Sequence, residues 1–304
     1  MALVQDAAWR EQLRPEVLAR LQSLELRARA VVEGFLVGLH RSPFHGYSVE
    51  FAEHRQYQPG DEPRLIDWRV YARTERFYVK QFEEETNVRV MLVLDGSASM
   101  GFQGQGVWAK WDYAAVLTAA LGYLLLRQKD AVGLLLYDAE PRLYRPPSAR
   151  FSYFGELVRA LEQHRPSGQT QSAGALEMVA ERLRRRSLVV LIGDLLEPVE
   201  PLLRAVRRLR GQHHEVILLQ VLDPVELSFA YDSAAEFRDV ETGERLATHP
   251  YFIRRAYQEA VAEHQRMLRY GCAEHGADFA LLTTETPFDR ALLQYLSKRR
   301  RMQQ

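Results

Sequence analysis

The spacing of apolar positions changes character twice along the chain. From residue 8 to 39, Leu, Val and Phe recur at helical intervals and Pro15 stands near a helix start, which predicts two helices. From about His40 to Glu85 that rhythm is lost. Aromatics and arginines mix in "YSVEFAEHRQYQPGDEPRLIDWRVYARTERFYVKQFEEE" around a Pro-Gly-Asp turn at Pro59 to Asp61, and short strands are expected there. After Glu85 regularity returns. A strand "VRVMLVLD" (88–95) precedes an apolar helix from about Trp108 to Arg127, and "AVGLLLYD" (131–138) follows as a second strand. Helices near 152–163 and 173–185 lead to the strand "SLVVLIGD" (187–194), the helix "VEPLLRAVRRLR" (199–210) and the strand "HEVILLQVLD" (214–223). Residues 228–246 read as a small polar hairpin turning at "ETGER". A long helix from about Pro250 to His275, a strand "ADFALLT" (277–283) and an amphipathic helix from about Pro287 to Arg299 complete the pattern, the last with Phe288, Leu292, Leu293 and Leu296 at helical spacing.

Strands solid with Val, Leu and Ile, alternating with helices of ten or more residues, predict an α/β fold. The expected architecture is a doubly wound, mostly parallel sheet covered on both faces. The 304 residues accommodate that domain at 86–304 and an N-terminal accessory segment of helices and short strands at 1–85. Apolar residues make up 47% of the chain, which speaks against global disorder. The 40 basic and 40 acidic residues cancel, so net charge points to neither nucleic acid nor a charged membrane surface. The single cysteine, Cys272, excludes an internal disulfide and a cysteine zinc site. The longest near-continuous apolar stretch, "AAVLTAALGYLLL" (114–126), is too short to span a bilayer, and the N-terminus has no apolar signal core. The expectation is a soluble, cytoplasmic protein with no nucleic-acid partner and no integral membrane segment.

Candidate chemistry begins where the first buried strand ends. "RVMLVLDGSASMGF" (89–102) places Asp95, Ser97 and Ser99 at alternate positions. In a doubly wound sheet, ligands bind beyond the carboxyl ends of the strands. Two further loops supply matching groups: Thr170 in "SGQTQSAGAL" and Asp194 at the end of "LVVLIGD". Two carboxylates and three hydroxyls, with no soft ligand, suit magnesium, calcium or manganese. Hydroxyl ligands, with carboxylates mostly behind water, leave such an ion under-neutralised, so it seeks an acidic oxygen from outside. Taken singly, each residue also has a structural reading. Asp95 suits a turn, Ser97, Ser99 and Thr170 suit caps, and Asp194-x-x-Glu197 reads as a capping-box variant.

Together, Asp95-x-Ser97-x-Ser99, Thr170 and Asp194 resemble the metal-ion-dependent adhesion site of von Willebrand factor A domains. Upstream, "RQYQPGDEPRLIDW" (55–68), preceded by "GLHRSPFHGYSVEF" (38–51), is similar to the signature of domain-of-unknown-function family 58. Those proteins carry a von Willebrand A-like domain and are commonly encoded beside MoxR-type AAA+ ATPases. The resemblance covers about 35 to 300. It implies a von Willebrand A-like fold, with a magnesium ion held by the five residues and manganese or calcium as alternatives. It also implies an acidic residue of a protein partner completing the ion's shell. The function implied is a non-enzymatic interaction module, an adaptor or co-chaperone working with a MoxR-type ATPase in assembly or activation of other proteins. Some relatives carry N-terminal membrane helices; none is read here, so membrane attachment is not carried over. In the domains this chain resembles, a carboxyl-terminal helix can shift when the metal site engages an acid.

The competing reading is a metal-dependent hydrolase using the same ion to activate water, with Glu197 the nearest general base. "SASMG" misses the GxSxG nucleophile elbow because Ser97 stands at the first glycine. "GFQGQG" (101–106) fits neither a dinucleotide turn nor a Walker loop. Arg55, Asp61, Arg64 and Asp67, with Trp68, read as a buried ion-pair network fixing the accessory segment. His213 and His214 lack ligand spacing and read as surface residues.

Overall fold

The protein is described from a computed structural model that covers residues 14–41, 54–57, 68–80, 88–104, 106–231, 233 and 235–303. In chain order, α1 (Pro15–Leu18) and α2 (Leu24–Arg41) match the two expected helices. Within the accessory segment, β1 (His54–Gln56) pairs antiparallel with β2 (Tyr78–Lys80), and α3 (Trp68–Thr74) lies between them. The helix was not expected, because its aromatics suggested strand. Instead Trp68 and Tyr71 both meet Phe77 on the connection into β2. The regular region then gives β3 (Arg89–Asp95), α4 (Lys110–Arg127), β4 (Ala131–Tyr137), β5 (Pro141–Ser148), α5 (Tyr153–Gln163) and α6 (Ser172–Arg182). It continues with β6 (Leu188–Gly193), α7 (Val199–Gly211), β7 (Glu215–Leu222), α8 (Pro224–Ser228), β8 (Ala235–Arg238) and β9 (Arg245–Thr248). It closes with α9 (Pro250–Glu274), β10 (Asp278–Thr283) and α10 (Phe288–Gln303).

The main sheet has six strands in the order β10-β7-β6-β3-β4-β5. Every neighbouring pair is parallel except β4–β5. β5 was not legible as a strand, since Pro141, Pro146 and Pro147 remove three ladder donors. It is tolerated because it lies at the sheet edge, bonded on one side only. Side chains alternate between two cores, as the two-residue strand period requires. Leu92 and Leu94 of β3 join α2, α4, α5 and α10 on one face, where Val31, Phe35, Phe288, Leu292 and Leu296 are buried. Met91 and Val93 join α6, α7 and α9 on the other face. His214 is a correction to the surface reading: it is buried, and its Nδ1 accepts the N–H of Ser187 at 3.2 Å.

The winding positions the site. The chain starts centrally at β3, moves outward through β4 and β5, then crosses back to build β6, β7 and β10 on the other side. The order therefore reverses between β3 and β6. Their carboxyl ends form the switch point, the position at which doubly wound sheets bind ligands. Among the described residues, no helix is long and apolar enough to cross a membrane.

Candidate metal centre

Asp95 is the last residue of β3, and Asp194 follows the last residue of β6, so the two acids flank the switch point. The strands approach closely there. A Cβ on Gly193 would stand 2.8 Å from the Cβ of Asp95, which explains glycine before Asp194. After Asp194 the chain turns sharply. Leu195 adopts φ 50°, a left-handed conformation costing about 1–2 kcal/mol in a non-glycine residue. The Nε2–H of His264 on α9 secures that turn by donating to the Leu195 carbonyl at 2.6 Å.

The loop after β3 folds back on its own acid. The Ser97 N–H donates to Asp95 Oδ1 at 2.8 Å, and the Ser97 and Ser99 hydroxyls lie 3.1 Å apart. Thr170, in the loop before α6, donates its hydroxyl to Asp95 Oδ2 at 2.7 Å. Backbone contacts lock the two loops together: Ala98 N–H to Gly168 O at 2.9 Å and Ser167 N–H to Gly96 O at 2.9 Å. The His164 Nε2–H adds a bond to the same Gly96 carbonyl at 3.1 Å. The fold thus gathers Asp95, Ser97, Ser99 and Thr170 into one cluster, with Asp194 on the adjoining strand end.

The structure adds a residue that sequence reading did not single out. Lys110, the first residue of α4, is buried, and its Nζ donates to Asp194 Oδ2 at 2.9 Å and to Glu226 Oε1 at 2.6 Å. Glu226 also accepts the Asp223 N–H at 2.8 Å, closing a capping box on α8. One signal for Lys110 was available: a lysine in the first turn of a helix opposes the dipole, so another charge must hold it. The capping-box reading of Asp194 and Glu197 fails. Pro198 is the residue before α7, and both Glu197 oxygens accept the Ser172 N–H at 3.1 Å, at the start of α6.

These contacts set the electrostatics. Burial, reinforced by the charge of Asp194, pushes Asp95 up to about 7, against the opposing pull of bonds from Thr170 and Ser97. Burial also acts to raise Asp194, but Lys110, by charge and hydrogen bond, holds it below the usual carboxylate range, with help from the Ser99 hydroxyl. Burial raises Glu226 and Glu197. Lys110 thus serves Asp194 and Glu226 rather than Asp95, and a cation bound here would relieve the deficit that Asp95 is left with. Among the described residues, no three His, Cys, Asp or Glu side chains are grouped to hold a metal, so an ion here depends on the hydroxyls. The oxygen set around Asp95 fits a hard divalent cation in both chemistry and charge.

Of the upstream residues, Asp61, Arg64 and Asp67 lie outside the described residues, and Arg55 is described only as backbone of β1. Trp68 is 59% exposed, so the expectation of a buried joint does not hold for its ring.

A family model described as "Protein of unknown function DUF58" matches residues 53–267. The uncharacterized protein Rv1480 of Mycobacterium tuberculosis is 29% identical over 296 residues, covering 94% of this chain and 91% of that protein. Among solved structures, an aerotolerance-related membrane protein of Bacteroides fragilis aligns with a TM-score of 0.49 at 18% identity, over 69% of this chain and 99% of that one. The SpRpn10 VWA domain aligns with a TM-score of 0.43 at 11% identity, over 69% of this chain and 95% of that one.

Proposed function

Because the chain belongs to the DUF58 family of proteins of unknown function, its role has to be read from its site, and we propose that it is a non-enzymatic, divalent-metal-dependent protein-interaction module. The observation that carries this reading is the buried Asp95, pushed up to about 7 amid hydroxyl oxygens while Lys110 is committed elsewhere. Asp95, Ser97, Ser99, Thr170 and Asp194 would hold magnesium, with manganese or calcium as alternatives. When bound, the ion supplies an electrophilic point for an acidic oxygen of a protein partner. Lys110 takes one oxygen of Asp194. That contact reduces the negative charge facing a cation and leaves it more demanding of an outside acid. Glu197 is engaged through both oxygens at the start of α6, which disfavours it as a general base. By family resemblance, the partner system includes a MoxR-type AAA+ ATPase. In that system the protein acts as an adaptor or co-chaperone in assembly or activation of other proteins.

Isothermal titration tests the ion. The expected result is magnesium binding by the wild-type chain and none by Asp95→Ala, with the variant still folded by circular dichroism. Unchanged binding in Asp95→Ala overturns the site.

A further inference from the structure

The β8–β9 hairpin turns at 239–244, and its tip reaches the candidate metal centre. Glu241 Oε2 accepts the backbone N–H of Thr170 at 3.0 Å. Thr170 is the residue whose hydroxyl bonds Asp95 at 2.7 Å. The Glu241 carboxylate is therefore bonded to the same residue that bonds Asp95. Its Oε1 makes no hydrogen bond among the described residues.

The hairpin is built to hold that carboxylate in place. Asp239 Oδ1 accepts the N–H of Glu241 at 2.8 Å and of Thr242 at 3.1 Å, and the Asp239 N–H donates to Glu244 O at 2.8 Å. Gly243 closes the turn at φ 78°, where a side chain would be strained. Along β8, Phe237 stacks on Phe229 with ring centroids 5.2 Å apart, and Phe229, which precedes the hairpin, in turn meets Tyr257 of α9. Arg254 of α9 donates to the carbonyls of Phe229 and Tyr231 at 3.1 and 2.7 Å. The insertion is thus fixed at its base and touches the site at its tip.

We propose that Glu241 is the chain's own acidic ligand for this centre, and that the hairpin is a strap which a partner's acid displaces. This rests on the metal-dependent docking reading above. An ion that accepts an outside carboxylate does not distinguish a partner's from a tethered one. A tethered group acts at an effective concentration on the order of millimolar, far above that of a dilute partner. Partners whose acid binds the ion too weakly to overcome that concentration are thereby excluded. Those that engage do so by their surplus over Glu241, and the coupling is reciprocal.

The experiment uses the full chain, magnesium, and glutarate as a small dicarboxylate probe. Calorimetry reads affinity, and hydrogen exchange over 235–248 reads the strap. Magnesium is expected to protect the strap in the wild type but not in Glu241→Gln, and glutarate to remove that protection. Magnesium-loaded Glu241→Gln should bind glutarate about fivefold or more tightly than the wild type. Asp239→Ala, which loosens the turn without touching the gathered oxygens, should shift glutarate affinity the same way. Magnesium binding with glutarate affinity equal in all three proteins, or weaker in Glu241→Gln, overturns the strap and leaves the docking reading intact. Failure of the wild type to bind magnesium overturns both.

Discussion

The two ends of the main sheet handle buried charge in opposite ways. At the amino end of β7, Glu215 meets Arg210 at 2.6 Å, Lys298 at 2.8 Å and Arg186 at 3.3 Å. Burial acts to raise Glu215, yet the bonds and charges of Arg210 and Lys298 bring it down to about 2. At the carboxyl end, Asp95 lies beside another acid, and burial with that repulsion brings it up to about 7. The same sheet resolves charge where it serves only stability and leaves it unresolved at the switch point. A strongly perturbed acid is a recognised mark of function, and local inconsistency of this kind concentrates at functional sites.

The sharpest way to break the comparison is to remove the cation that pairs with Asp194 and Glu226 beside Asp95. Lys110→Met leaves Asp194 and Glu226 buried without their partner, and the expected loss of stability is about 3–5 kcal/mol by urea unfolding. A loss below about 1 kcal/mol would mean that the lysine is not what balances this end. The next substitution should act in the other direction. Asp95→Asn removes the repulsion and is expected to stabilise the metal-free fold by about 1–3 kcal/mol, since a tenfold difference in proton affinity between the folded and unfolded states is worth about 1.4 kcal/mol. A lower unfolding midpoint in that variant would show that the carboxylate's hydrogen bonds outweigh its repulsion. The last test is the contrast in pH dependence. Asp95 titrates higher folded than unfolded, so its stabilising contribution is greatest below about pH 4 and is lost as pH rises toward 7. Glu215 titrates lower folded, so its contribution is present above about pH 4.5 and is lost as pH falls toward 2, moderated by its partial exposure. Urea midpoints against pH should lose the first slope in Asp95→Asn and the second in Glu215→Gln; parallel curves for all three proteins would erase the contrast.

What the sequence disclosed follows from the range over which each feature is determined. "VRVMLVLD" and "SLVVLIGD" are legible because a strand buried on both faces must be apolar throughout, and the residues that end such strands follow directly. On that ground Asp95 and Asp194 each fall at the carboxyl end of a strand; joining them in one site drew on the resemblance, and the pairing of β3 with β6 is given by the structure. Lys110 could not be placed with them, because its partners lie 84 and 116 residues away, one on the loop after β6 and one on α8. The turn at "ETGER" was readable from local chemistry, but the contact of Glu241 with Thr170 was not. β5 was hidden for a different reason: being an edge strand removes the requirement for a donor at every residue, and the prolines that this permits look like a break.

Those prolines also bear on self-association. An unpaired strand edge is a template on which another chain can add a strand, and its row of N–H groups supplies the template. Along β5, positions 141, 146 and 147 contribute none, and the irregular register against β4 bends what remains. Lateral growth of the sheet from this side is therefore disfavoured, which helps guard a Val- and Leu-rich sheet against edge-to-edge polymerisation.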